Sequence, residues 1–158
     1  MTFSKFITLL LAVATAGLVS CASTTKDVEI SKVKYYKLTG KKGVISADPA
    51  ISFEQKYYLH GAVSNEDIAQ RVGVYYTIHW SVADTTQPVK LVLSYRQSKT
   101  GSALYTKEIV PDVIKRSNNT EFSVIGDEFA KNGHVTAWKV AIVRGKEEVA
   151  THKSYLWE

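Results

Sequence analysis

From Val28 onward, apolar and polar residues alternate over short runs rich in β-branched and aromatic side chains, with polar or glycine-bearing turns between them. Side chains of a strand point to opposite faces in turn, so a period of two marks half-buried strands. The pattern predicts strands at 28–38, 53–63, 72–82, 89–96, 104–110, 120–125, 136–144 and 149–156. In VYYTIHWSV the residues Val74, Tyr76, Ile78, Trp80 and Val82 share one face, which reads as core, and Tyr75, Thr77, His79 and Ser81 share the other. Val89, Leu91, Leu93 and Tyr95 form a matching face in a neighbouring strand, and Trp138, Val140 and Ile142 do so in another.

The breaks in the pattern predict turns and two short helical turns. Gly101 falls in a hairpin loop and Gly145 in a tighter one. Ser64-Asn-Glu-Asp67 fits a capping box leading into Ile-Ala-Gln-Arg. In the stretch 127–133, Asp127 is placed as an N-cap acid and Gly133 as a C-terminal glycine. Residues 41–52 are the least regular and read as a long exposed connection. Strands at this spacing predict one all-β antiparallel domain over residues 28–158, a sandwich of about seven or eight strands. The helical turn before a strand with a core tryptophan resembles the corner between the fifth and sixth strands of immunoglobulin-like sandwiches. The inter-sheet cysteines of the antibody domains are absent, so the resemblance is to the wider class.

Composition changes the picture at the amino terminus. The chain of 158 residues has one cysteine, Cys21, which follows an uncharged apolar run from Phe6 to Ser20 and a single cation, Lys5. A spanning helix needs about 20 predominantly apolar residues, and the small residues before Cys21 read instead as the end of a signal peptide over residues 1–20. Leu18-Val19-Ser20-Cys21 resembles the lipobox of bacterial lipoprotein precursors. That resemblance implies cleavage before Cys21, a thioether-linked diacylglycerol on its sulfur and acylation of the freed amine. Several acyl chains are needed because each buried methylene contributes about 0.8 kcal/mol, and one chain holds a protein only reversibly. Residues 21–27 are then the lipidated cysteine and a short polar tether. Ala22 and Ser23, in place of an aspartate, resemble the signal of lipoproteins sorted to the outer membrane.

With Cys21 modified, no disulfide can form, and stability rests on an ordinary core. A domain of this length buries roughly 70% of its unfolded surface, which suffices. The formal net charge of +5 falls to +4 once residues 1–20 are removed, because they hold one cation and no acid. The remaining charges are scattered, with a local pair at Lys41-Lys42 and no basic stripe interleaved with aromatics. Nucleic acid is therefore not an expected partner.

The search for chemistry finds no Gly-x-Ser-x-Gly elbow, phosphate-binding glycine loop, His-Glu-x-x-His helix or calcium loop, so no cofactor or metal is expected and the reading is non-enzymatic; the alternative is an enzyme whose carboxylate or histidine site leaves no motif. His60, His79, His134 and His152 lie on or beside different predicted strands, and zinc would need a third ligand that the sequence does not name. Three tyrosine doublets, Tyr35-Tyr36, Tyr57-Tyr58 and Tyr75-Tyr76, occur in the first three predicted strands. Each would give one ring to the core and one to the outside. Tyr35, Tyr57 and Tyr75, with His79, form the candidate binding surface, where flat rings with a polar tip suit sugar rings or a protein partner. The plainer use is cross-strand pairing, which stabilises a sheet by about 0.2–1 kcal/mol per pair. The whole pattern is similar to small bacterial lipoproteins carrying one such sandwich. It implies a membrane anchor through the acyl chains on Cys21 and a partner that is an envelope protein or a glycan.

Overall fold

The computed structural model describes residues 27–40 and 47–158, so the leader, Cys21, the tether up to Lys26 and Lys41-Lys42 lie outside the described residues. Two antiparallel sheets pack face to face. The first has the order β1 (Val28–Leu38), β2 (Gly73–Val82), β5 (Ser117–Ile125). The second has the order β4 (Tyr105–Ile109), β3 (Lys90–Gln97), β6 (Val135–Arg144), β7 (Glu147–Lys153). The chain is an all-β sandwich of two antiparallel sheets, with its fourth strand paired to β3 rather than to β5.

Among the described residues three short helices join the strands: α1 (Pro49–Leu59), α2 (Asn65–Arg71) and α3 (Gly126–Asn132). The alternation of β2 is complete, with each of Val74, Tyr76, Ile78, Trp80 and Val82 buried. They meet Leu91, Leu93, Tyr95, Val140 and Ile142 of the second sheet and Phe122 and Val124 of β5 in one core. Polar groups in that core are paired, as burial demands. The Trp80 Nε1–H donates to Thr120 Oγ1 at 3.0 Å. The buried Gln97 amide donates to the Gly133 carbonyl at 2.9 Å and fixes the loop between α3 and β6. The Tyr95 hydroxyl donates to the Glu128 carboxylate, whose other oxygen pairs with Lys107 Nζ at 2.8 Å, tying α3 to β3 and β4. Burial and the adjacent carboxylate both raise the Tyr95 pKa.

The predicted strand at 53–63 is the one element of the wrong type. Residues 49–59 are the helix α1, and the irregular stretch before it ends in a cap. Asp48 accepts from the Ala50 N–H at 2.8 Å and Pro49 occupies the first helical turn, where its missing N–H costs nothing. Ser64 and Asp67 form the expected capping box at α2, with the Asp67 N–H donating to Ser64 Oγ at 3.0 Å. At α3 the expected cap is displaced. The N-cap position is Ile125, with no side-chain cap, and Asp127 lies in the first turn. Gly133 terminates the helix with a positive φ of 84°. Gly73 opens β2 because no other residue fits there: its φ is 150°, and a Cβ would lie 2.2 Å from the Val124 carbonyl oxygen.

One irregularity in β1 decides which side chains face which way. Ile30 pairs with Trp80, but Lys32 pairs with His79, so Ser31 is an extra residue in a β-bulge. Its hydroxyl donates to the His79 carbonyl at 3.1 Å. The bulge inverts the alternation: Val28 and Ile30 face the core before it, whereas Val33, Tyr35 and Lys37 pair with Ile78, Tyr76 and Val74 on the inner face after it.

Candidate functional site

The outer face of the first sheet carries Tyr36 opposite Tyr75, so the outward member of the first doublet is Tyr36 and not Tyr35. Helix α1 lies over these rings. Tyr58 stacks on Tyr75 with ring centroids 3.8 Å apart and an interplanar angle of 21°, and on Tyr36 at 5.6 Å and 15°. Tyr57 meets Tyr58 edge-on at 5.1 Å. The docking is completed by Arg71. Its guanidinium donates to the Tyr58 carbonyl at 3.1 Å and to the His60 carbonyl, satisfying groups that the end of α1 leaves open. Its own carbonyl accepts from the Tyr75 hydroxyl at 2.7 Å. Burial pushes the Tyr58 hydroxyl up to about 12, aided by the charges of Glu121 and Glu54. Desolvation also raises Tyr75 and Tyr36.

The four sequence-chosen residues therefore lie in different places. Tyr75 is half-buried beneath Tyr58. Tyr57 is 58% exposed on the outward side of α1, where it stacks on Phe53 at 6.4 Å. His79 sits on the outer sheet face between Lys32 and Asn119, its Nε2 shielded from solvent and without a partner among the described residues. The expected stripe of Tyr35, Tyr57 and Tyr75 is not formed. The stack that exists is Tyr36, Tyr58 and Tyr75, and it docks a helix. Beside it a recess of about 440 Å³ is bounded by Lys32, Lys34, Tyr36, Glu54 and Tyr58.

Tyr35 lines this recess and also a second site, the mouth where the two sheets part. It is 68% exposed on the inner face of β1. Strand β7 pairs with β6 only from Arg144 back to Lys139, so the first residues of β6 have no β7 neighbour. The chain turns away at Ser154, whose N–H donates to the Trp138 carbonyl at 2.9 Å and whose Oγ accepts from the Trp138 N–H at 3.0 Å. Trp157 then folds beneath the Arg96 guanidinium, 5.5 Å from its ring centroid. This leaves a cleft of about 440 Å³ lined by Tyr35, Lys37, Tyr76, His134, Trp138 and Tyr155, among others. Tyr76 and Trp138 meet edge-to-face at 5.6 Å as its floor, and Tyr155 is fully exposed at its rim. Trp138 and Tyr155 were not among the sequence candidates. Trp138 reads as plain core from its face, and Tyr155 falls in what reads as the end of a strand.

Comparison of the chain with family models, with curated proteins and with solved structures returned no match.

Proposed function

We propose that this chain is a non-enzymatic, lipid-anchored binding module of the bacterial cell envelope. Acyl chains on Cys21 hold it to the membrane, and the sandwich is presented to another envelope component. The observation that carries the reading is the position of the chain's only cysteine, at the end of the uncharged run Phe6–Ser20 and a few residues before the first strand at Val28. A thiol there serves attachment, since the core is built without one. Ala22 and Ser23 favour the outer membrane as the destination. A self-sufficient sandwich a few residues from its anchor is suited to binding near the membrane surface.

The test is metabolic labelling with a clickable fatty acid, followed by detergent phase partition. The wild-type protein should be labelled and enter the detergent phase, and Cys21→Ser should remain an unlabelled, uncleaved precursor. A wild-type protein that is unlabelled and stays in the aqueous phase overturns the anchor.

A further inference from the structure

The cleft at the mouth of the sandwich is where we infer that the module holds its ligand, a glycan segment bearing a carboxylate. This names the ligand of the binding module proposed above and rests on that reading. Three observations lead to it. The first is aromatic surface left without a packing use. Tyr35 and Tyr155 have no ring contact among the described residues, although one is 68% and the other fully exposed, while at α1 Tyr58 stacks on both Tyr36 and Tyr75. Flat, apolar ring faces match the C–H-bearing face of a pyranose, and their hydroxyls reach its polar edge. Beneath them Tyr76 is buried and Trp138 is stacked on His152 at 5.9 Å, which makes the floor apolar and rigid, and the volume of about 440 Å³ lies within the range of small-ligand sites.

The second observation is charge. Lys37 points into the cleft from the inner face of β1 and forms no ion pair among the described residues, and no Asp or Glu lines the cavity. An anionic substituent at that end gains a charge-assisted hydrogen bond. The third observation selects glycan over peptide. An extended peptide would bind by adding a strand to the free edge of β1, and that edge is bulged at Ser31 and studded with Lys32, Lys34 and Lys37, the devices by which edges resist strand addition.

Carboxylated hexopyranoses come from two envelope sources: wall glycan, through the lactyl group of muramic acid, and uronate polysaccharides. The experiment titrates the mature full-length protein, in detergent micelles, with a muramic-acid disaccharide, a galacturonate disaccharide, the methyl ester of each, and cellobiose, followed by NMR line positions. One or both acidic sugars should shift signals of Tyr35, Trp138 and Tyr155, identifying the source. Tyr35→Ala and Tyr155→Ala should each weaken binding about three- to tenfold, the value of one aromatic contact. Lys37→Gln should remove the preference of the acid over its ester, and Tyr57→Ala, on α1, should change nothing. The proposal falls if neither acidic sugar shifts the cleft signals at millimolar concentration. It falls too if cellobiose binds as tightly, if the affinity is indifferent to Tyr35→Ala and Tyr155→Ala, or if an extended peptide binds the cleft instead. A protein that partitions into detergent through Cys21 yet binds no acidic sugar keeps the anchored-module reading and loses this ligand. A protein that binds but is not acylated does the reverse.

Discussion

At α1, Tyr58 stacks on both Tyr36 and Tyr75, whereas at the mouth of the sandwich Tyr35 and Tyr155 face solvent with no ring neighbour among the described residues. The two regions are built from the same residue type, and Tyr35 and Tyr36 are adjacent in the chain. Their different fates follow from what each surface has to cover. The outer sheet face holds apolar ring area that water would otherwise wet, and α1, with no fully buried residue of its own, is held there by stacking and by Arg71. Among the described residues no such element lies over the mouth, because β7 ends at Lys153 and the chain turns away. Aromatic area that has found a partner contributes to stability. Aromatic area left open at a cleft is available to a ligand.

Substitutions sharpen this contrast. The largest effect is expected from Tyr76→Ala, since Tyr76 is both core and floor of the cleft and is 2% exposed. It should cost about 3–5 kcal/mol in denaturant unfolding, and a loss below about 1 kcal/mol would show that the mouth is not continuous with the core. Next comes Tyr58→Ala, which removes the ring sandwiched between Tyr36 and Tyr75. A loss of about 1–2 kcal/mol is expected, with faster amide exchange confined to α1. Uniform acceleration across the sheets would contradict a docking role. Tyr35→Ala should change stability by no more than about 0.5 kcal/mol, as for an exposed residue without partners. A larger drop in midpoint would mean that Tyr35 is structural and the two regions are alike.

The stack can also be read by pH without breaking it. Burial raises Tyr58 from the ordinary 10.0 to about 12. The folded state therefore keeps a proton that the unfolded chain releases, so this stabilisation is complete below about pH 10 and is lost as pH rises through about 12. Tyr58→Phe should remove one tyrosinate equivalent from the part of the absorbance titration near pH 12. Loss of that equivalent near pH 10 instead would place the ring in water.

Much of the fold was legible in the sequence because strand alternation is a local signal. β1 runs over the predicted residues, β2 to β7 fall within a few residues of expectation, and the core faces of β2, β3 and β6 are those read from alternation. The capping box at Ser64 was legible for the same reason, since all its atoms lie within four residues. Helix α1 was missed although Asp48-Pro49 marks its start, because the doublet Tyr57-Tyr58 imitates a strand while Phe53 and Tyr57 in fact keep the four-residue spacing of a helix face.

What the sequence determined by itself is the class: a β domain whose core, with Trp80, Tyr76 and Tyr95 among its largest side chains, is built without a thiol, the chain's only cysteine standing at position 21. What the tertiary structure alone decided is which tyrosine faces where. The bulge at Ser31 exists only in the pairing of β1 with β2, and that one extra residue turns Tyr35 inward to the mouth and Tyr36 outward beneath α1. The mouth itself depends on where β7 stops relative to β6, a difference of register between segments that no local pattern encodes. Alternation specifies a face once pairing is known, and pairing is a property of two strands at once.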